Sequence, residues 1–272
     1  MQFLTILFFL GLGYLLRSDY LTSNHLKLKL GIGASGSMPR KMEAEYHQIL
    51  NHYSIYYRRL NERRKQEFRK RLYTLLHFLA FSSVEIRTIT REMRVVIGCA
   101  IIEISFGLEK FLPEQYTNVV VKPRRYMYPG YGEPFLGHID YNRNMLFFSW
   151  PDVQSGYLIP DDALNVALHE MAHVLEVENQ YNELFQKFFD DVSWDKWAKL
   201  AFDKMTTIRN RDNIFLKDYG GHNMKEMFAV CVETFFEQPE DFKKNLPELY
   251  QTMVNLLRQD PLLEGDPVLG RK

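Results

Sequence analysis

Cysteine is scarce in this chain, which has two cysteines in 272 residues, Cys99 in "VIGCAII" and Cys231 in "FAVCVET". Two thiols cannot build a disulfide framework or a zinc site made of cysteines. Both are flanked by apolar residues, so we interpret them as small core residues. Their low number fits a reducing compartment.

An excess of charge of either sign is also missing. The 34 lysines and arginines balance the 34 aspartates and glutamates, and the formal net charge is zero. A nucleic-acid-binding surface usually appears as a basic excess, so we predict no nucleic-acid partner. Hydrophobic residues make up 46% of the chain, which is typical of a globular protein and excludes global disorder.

The N-terminus lacks charge and lacks the features of a secretory signal. Residues 2–16, "QFLTILFFLGLGYLL", contain no charged side chain, no basic side chain precedes them, and no A-x-A site follows. As a helix this run is about 22 Å long, somewhat short for a hydrocarbon core of about 30 Å. We predict a hydrophobic helix at residues 1–22. The basic residues all follow it, which favours an inner-membrane anchor with the C-terminal bulk of the chain in the cytoplasm. A buried or amphipathic helix of the soluble domain is the alternative.

The rest of the chain divides into a linker, one domain and a tail. Glycine and serine in "GIGASGSMPR" predict a linker over residues 23–42. Residues 43–262 combine helical periods with short β-branched runs, which indicates an α+β fold, mainly helical with a small sheet. The strands are expected in "VEIRT", "TNVVVKP" and, as a pair around a turn, "PFLGHIDYNRNMLFFSW". Asp161 or Asp162 is the predicted cap of the next helix, and residues 263–272 are expected to be a loose tail.

Residues 167–179, "ALHEMAHVLEVEN", place His169, Glu170 and His173 in an otherwise almost wholly apolar run. Residues four apart lie on one face of a helix, so both imidazoles reach one shared point. A helix that is apolar nearly all round belongs in a core, where unpaired ionisable groups are costly. This H-E-x-x-H pattern predicts a zinc ion bound by both histidines, with Glu170 close to its water. The alternative is two core histidines bonded to carbonyl groups, with Glu170 exposed.

A catalytic zinc site needs a third protein ligand. The metzincin extension would place glycine and histidine where this chain has Glu176 and Asn179, so that branch is excluded. No glutamate occurs between Glu183 and Glu226. Glu183 lies too near the motif unless the chain turns sharply, whereas Glu226 opens the nearly all-apolar "EMFAVCVETFF" and is preferred. Its alternative role is that of capping-box partner to Asn223.

Three further residues lie within this apolar run or shortly before it. Glu233, seven residues after Glu226, could orient a ligand imidazole or be a surface residue. Tyr219, seven residues before Glu226 in "DYGGH", could stabilise an oxyanion or simply pack. His222 could touch substrate, although a solvent-exposed loop residue is the preferred interpretation.

These stretches resemble the zinc metallopeptidases of the Mlc titration factor A family, whose active site is related to that of anthrax lethal factor. The similarity is strongest in "NVALHEMAHVLE" and "DYGGHNMKEMFAVCVETFFEQP". It persists through "LFFSWPDV" and "REMRVVIGCAIIEISFGL" and covers roughly residues 75–240. Glu176 stands where the family usually has aspartate. The resemblance implies a zincin-like domain, with the small sheet beside the H-E-x-x-H helix, and one zinc ion per chain.

The resemblance also implies roles for individual residues. The family's zinc ligands fall on His169, His173 and Glu226, its catalytic glutamate on Glu170 and its active-site tyrosine on Tyr219. It implies peptidase activity, aminopeptidase-like on small substrates, and the namesake also binds a transcriptional repressor. We therefore expect a peptide substrate. The alternative is a zinc-stabilised binding protein that sequesters a transcriptional regulator, with weak or no hydrolysis.

The expected reaction is zinc-assisted hydrolysis of a peptide bond. Zinc lowers the pKa of its water and polarises the carbonyl group, and Glu170 is expected to take the water proton and pass it to the leaving amine. We also hypothesise that the strand "NMLFFSW", residues 144–150, runs beside the motif helix and holds an extended substrate by strand addition.

Overall fold

In a computed structural model, the chain forms helices around a small sheet. The structure describes residues 38–128, 130–159, 161–180, 187–209 and 215–270, apart from the side chains of Arg209 and Tyr219. The predicted N-terminal helix and residues 23–37 of the predicted linker lie outside these residues. No helix within the described ranges is both long and apolar enough to cross a membrane.

The helices are numbered here in chain order. They are α1 (Arg40–Tyr53), α2 (Ile55–Arg59), α3 (Glu62–Phe78), α4 (Arg91–Ser105), α5 (Trp150–Leu158), α6 (Val166–Gln180), α7 (Asp191–Arg209), α8 (Met224–Glu237), α9 (Pro239–Asn245) and α10 (Pro247–Leu257), with a 3-10 helix at Asp218–Gly221. Residues from Glu43 onward form one unit. The helix of the H-E-x-x-H motif is α6.

The strands β1 (Ala80–Ser82), β2 (Asn118–Lys122), β3 (Gly137–Asp140) and β4 (Met145–Ser149) form one sheet in the order β1-β2-β4-β3. The pairs β1–β2 and β2–β4 are parallel, and β3 runs antiparallel to β4. The prediction of two strands around a turn is confirmed by β3 and β4. The α+β expectation, mainly helical with a small sheet, is also confirmed.

The position of β4 corrects the hypothesis about strand addition. This strand lies between β2 and β3 and pairs with both, so both of its backbone edges are already bonded. A substrate therefore cannot pair with "NMLFFSW". One of the two edge strands of the sheet is β3, the other being β1, and β3 packs against α6.

Two helices run through the core. Every residue of α4 from Val95 to Ser105 is buried, as is every residue of α8 from Met227 to Phe235. Cys99 and Cys231 lie in these helices as buried free thiols, which confirms their interpretation as core residues. Because α8 is buried on all sides, each charged side chain that it carries inward needs a partner inside the protein.

The predicted strand in "VEIRT" is wrong. Residues 84–88 form bends, Val84 is exposed, and the strand in this region is β1 at Ala80–Ser82. Contacts with a distant segment decide where this strand forms. The N–H of Ala80 donates to Thr117 O (2.8 Å), and from there β1 pairs with β2. A β-branched composition alone does not supply a neighbouring strand.

The segment after α10 is bound to the domain rather than loose. Gly265 pairs with Leu60, and the carboxylate of Asp266 accepts hydrogen bonds from Arg64 at 2.6 and 3.1 Å. The Arg64 side chain is only 4% exposed and requires a nearby negative charge. Arg64 also pairs with Glu67 (2.7 Å), and its further bonds to Asp266 hold a segment that composition alone marks as a tail.

One carboxyl group of the core is hydrogen-bonded to neutral groups. Glu103 of α4 is 2% exposed, and its side chain accepts hydrogen bonds from the hydroxyl of Ser54 and from the thiol of Cys99. Burial raises the pKa of Glu103 to about 7, while the bonds from Ser54 and Cys99 lower it only in part. At neutral pH this group therefore titrates within the folded protein.

The pKa of Glu103 predicts that the contribution of this carboxyl group to stability falls as the pH rises from about 4.5 to about 7. In that range the unfolded chain loses the Glu103 proton while the folded protein keeps it, which disfavours folding by up to about 3 kcal/mol. Substituting Glu103→Gln should remove this dependence. Urea unfolding of both proteins at pH 4.5 and 7.5 measures the difference. Glu264→Gln, in an exposed loop, is the control and should change nothing; an equal pH dependence in the wild type and Glu103→Gln contradicts the assignment.

Candidate metal centre

Helix α6 begins at Val166 and is capped by Asn165. The Asn165 side-chain oxygen accepts hydrogen bonds from the backbone N–H groups of Ala167 (3.2 Å) and Leu168 (3.1 Å), which is the usual N-cap arrangement. The predicted cap at Asp161 or Asp162 is therefore wrong. Asp162 instead accepts the N–H of Leu164 (2.9 Å) in the preceding turn.

Helix α6 lies close to the edge strand β3, and Gly137 makes this approach possible. A Cβ atom at Gly137 would lie 2.7 Å from Val166 Cγ2 and 3.0 Å from Glu170 Cγ. Any larger residue would push the strand away from the turn that carries Glu170. The motif helix is thus packed between the sheet edge and α8.

Helix α8 supplies the opposing carboxylates. Its N-cap is Asn223, whose side chain accepts the N–H groups of Lys225 (3.0 Å) and Glu226 (3.1 Å), so the cap named in the alternative role of Glu226 is present. The Glu226 carboxylate does not serve as the capping-box partner. It faces the motif histidines, with Oε2 at 3.2 Å from His169 Nε2 and 3.6 Å from His173 Nε2.

The three donor atoms have the spacing of a tetrahedral metal site. His169 Nε2 and His173 Nε2 are 3.2 Å apart, so all three separations lie between 3.2 and 3.6 Å. Zinc bonds of 2.0–2.1 Å at tetrahedral angles place ligand atoms about 3.3 Å from one another. Two imidazole nitrogens and one carboxylate oxygen are also ligands that zinc accepts. The residues present therefore fit a zinc ion.

His169 and Glu226 each shift the pKa of the other. Burial lowers the pKa of His169, but hydrogen bonds with Glu226 and Glu233 outweigh it and raise the pKa to about 10. Burial by itself raises the pKa of Glu226, but the hydrogen bonds with His169 and His173 outweigh burial and lower this pKa to about 2. Zinc and a proton thus compete for Nε2 of His169, so the affinity for zinc is expected to fall at low pH.

A second carboxylate of α8 holds the other side of the first imidazole. Glu233 bonds to His169 Nδ1, and its second oxygen accepts the N–H of Asn165 (3.2 Å). A carboxylate on Nδ1 directs the remaining nitrogen toward a metal and increases its basicity. Of its two predicted roles, Glu233 has the geometry of the orienting residue, and it is buried rather than on the surface.

The other predicted site residues differ in what the structure describes. Glu170 is 8% exposed, lines the cavity beside both histidines, and has its pKa raised by burial. Tyr219 belongs to the 3-10 helix, but its side chain lies outside the described part, as does all of Glu183. His222 is exposed, and it is not among the described residues that line the cavity. Glu176 is buried and accepts a hydrogen bond from Gln180 (2.6 Å).

The donor atoms face a cavity of about 750 Å³, one wall of which is the edge strand β3 together with the residues before and after it.

The sequence analysis did not identify Asn165 and Gly137, both of which position the site. Asn165 carries a local signal, because it directly precedes the apolar run. Gly137 carries none, since its role depends on a helix that lies elsewhere in the chain.

A buried H-E-x-x-H helix, a glutamate from a second helix and an adjoining cavity define a site of the metallopeptidase type. The comparison with protein families agrees with this class. Residues 36–258 match the model of the glucose-regulated metallo-peptidase M90 family. The chain belongs to this family.

Several relatives match parts of the chain. Mlc titration factor A of Pectobacterium atrosepticum is 26% identical over 128 residues, which cover 45% of this chain and 48% of the relative. Its Yersinia pestis counterpart is 28% identical over 123 residues, covering 43% and 45%. An uncharacterized protein of Synechocystis is 21% identical over 239 residues, covering 82% and 87%. The match thus spans about half the length of the Mlc titration factor A relatives.

The contact between Glu233 and His169 generates a prediction about metal affinity. Glu233→Gln replaces a carboxylate by a neutral amide on Nδ1 of His169, and we expect zinc affinity to fall roughly 10- to 100-fold. Competition with a chromophoric chelator measures the affinity at pH 7.5. Glu248→Gln, on an exposed position of α10, serves as the matched control. Equal zinc affinities for the two variants would exclude an orienting role for Glu233.

The close approach at Gly137 generates a second prediction. Gly137→Ala should destabilise the protein by about 1–3 kcal/mol, because the new methyl group overlaps Val166 and Glu170. Thermal unfolding of the zinc-loaded protein measures the loss. Gly132→Ala is the control, since a Cβ there would meet nothing within 4 Å. If both variants are as stable as the wild type, β3 does not require glycine at this position.

Proposed function

We propose that this protein is a zinc-dependent peptidase in which His169, His173 and Glu226 hold the metal. The observation that carries the proposal is the mutual spacing of their donor atoms, 3.2 to 3.6 Å, which suits the edges of a tetrahedron around zinc. Membership of a metallopeptidase family supports the same conclusion. The finer proposal, from the family resemblance, is an aminopeptidase-like activity on small substrates.

Each residue of the centre has a separate task in the proposed reaction. Zinc, when bound, acidifies a water molecule and polarises the carbonyl group of the substrate. Glu170 takes the proton from the water and delivers it to the nitrogen of the leaving amine. Glu233 keeps its hydrogen bond to Nδ1 of His169, so that Nε2 stays directed toward the metal.

Tyr219 is proposed to donate a hydrogen bond from its phenolic O–H to the oxyanion of the tetrahedral intermediate. The backbone around it supports this role. A Cβ atom at the neighbouring Gly220 would lie 3.5 Å from Met227 Sδ and from Val230 Cβ, on the helix that carries Glu226. The 3-10 helix of Tyr219 therefore packs on the first turns of α8.

The edge strand β3 is proposed to bind the substrate as an additional strand. The N–H of Ser149 donates to Leu136 O (2.7 Å), which marks that pair as hydrogen-bonded. Antiparallel pairs alternate, so the backbone N–H and C=O groups of Gly137 and Ile139 point away from β4. Both residues line the cavity, where an extended peptide could bond to them.

A second candidate function is the sequestration of a transcriptional regulator, with weak or no hydrolysis. It is favoured by the name of two relatives, Mlc titration factor A, which refers to the regulator Mlc. The two functions differ in their need for Glu170. A pull-down from cells with the Glu170→Gln protein, compared with hydrolysis by the wild type, separates them. A stable protein partner combined with no peptidase activity in the wild type favours sequestration.

The role of Glu170 predicts a variant that binds metal but does not turn over. Glu170→Gln should reduce peptide hydrolysis by at least about 100-fold, because the amide cannot accept the proton. Zinc content should remain at one ion per chain, since Glu170 is not among the three proposed ligands. Metal analysis and a chelator-sensitive assay on a peptide library give both values. Wild-type activity in this variant means that another group is the base.

A further inference from the structure

An aromatic segment adjoins the candidate metal centre. Residues 126–135, called here the aromatic loop, are closed at their ends by two backbone hydrogen bonds between Tyr126 and Phe135, of 3.3 and 2.9 Å. At Gly130, within the loop, φ is +92°, a value that favours glycine. Paired ends of this kind hold a loop in one orientation relative to the strand that follows it.

Tyr131 lies near the tip of this loop and lines the cavity of the metal centre. Its ring packs edge-on against Phe135, with the centroids 5.0 Å apart, and Phe135 in turn contacts His138 of the edge strand at 5.1 Å. The Tyr131 side chain nevertheless remains 60% exposed. An aromatic ring that packs against a neighbour but is still exposed beside a cavity has surface available for a ligand. Such a ring loses little rotational freedom when the ligand binds.

Other apolar side chains of the same cavity are also open to solvent. Leu164, which precedes α6, is 59% exposed, and Leu136 and Tyr141, on either side of β3, are exposed as well. These residues flank the strand edge and the donor atoms within one continuous cavity. Apolar surface grouped around a backbone edge suits the side chains of an extended peptide, which point alternately to either side.

The charges of the cavity argue against acidic ligands. Among its described lining residues there is no lysine or arginine, and the charged ones are the carboxylates of Asp140, Glu170, Glu226 and Glu233. Asp140 is engaged by the hydroxyl of Tyr128 (2.7 Å) and by two backbone N–H groups. With a zinc ion of charge +2 bound, the four carboxylates still leave the described lining with a net negative charge, which disfavours an acidic side chain on the peptide.

We propose that the aromatic loop, through Tyr131, binds a bulky apolar side chain of an extended peptide seated in the cleft, with Leu164 contributing to the same contact. The substrate class is therefore peptides with an aromatic or large aliphatic residue near the metal centre. This inference rests on the proposed function for the peptide nature of the ligand. The binding step itself does not require hydrolysis.

The experiment measures binding first and cleavage second. Zinc-loaded full-length Glu170→Gln protein is titrated with heptapeptides that are free at the N-terminus and carry a fluorophore at the C-terminus, and whose second residue is phenylalanine, leucine, glycine or aspartate. We expect the phenylalanine and leucine peptides to bind about tenfold more tightly than the other two. Adding Tyr131→Ala should remove most of this preference, and adding Tyr131→Phe should keep it.

Met127 provides the matched control. It lies in the same loop and is equally exposed, at 60%, but it does not line the cavity. Met127→Ala should leave the peptide preference unchanged. If Tyr131→Ala and Met127→Ala behave alike, or if no peptide binds at all, the inference is overturned. Thermal unfolding and zinc content confirm that each variant is folded and loaded.

Cleavage of the same peptides by otherwise wild-type protein separates this inference from the proposed function. Binding that depends on Tyr131, without any chelator-sensitive cleavage, supports the inference and rejects the peptidase. Cleavage with an unchanged ratio of phenylalanine to glycine peptides in Tyr131→Ala supports the peptidase and rejects the inference.

Discussion

The contact between the imidazole of His169 and the carboxylates of Glu226 and Glu233 is the interaction on which the rest of the site depends. The imidazole belongs to α6 and both carboxylates to α8, and both helices are buried. Without its partners, the imidazole or either carboxylate would be an ionisable group in the core whose loss of hydration no interaction offsets. Together they join the two helices, and the arrangement leaves three donor atoms at the spacing that a single cation bridges.

Hydrogen bonds link this contact to the N-terminus of α6. Glu233 binds the imidazole with one oxygen and the N–H of Asn165 with the other, while the Asn165 side chain caps the helix. The orientation of the imidazole and the first turn of the motif helix are therefore coupled through one carboxylate. On the opposite side, Gly137 lets the edge strand approach the same helix, so the wall of the cavity depends on the same packing.

The sequence predicted local features well, since their physics is local. The motif helix, the Asn223 cap, β2 and the β3–β4 pair follow from periodicity and turn composition within short windows. Three side chains before α6, those of Asp161, Asp162 and Asn165, could each cap a helix, and composition does not rank them. Asn165 is the cap in the structure, where its backbone also bonds to Glu233 from a distant helix. The order of strands in the sheet, which places β3 at one edge, likewise cannot be predicted from the sequence of any single strand.

By itself the sequence determined that His169, Glu170 and His173 share one helix and that Glu226 opens another, because the geometry of a helix depends only on its own backbone. Only the tertiary structure decided that Glu226, 57 positions from His169 along the chain, meets both imidazoles, and that β3 forms the wall beside them. Contacts between such distant segments depend on how the whole core packs, and no spacing within either segment carries that information.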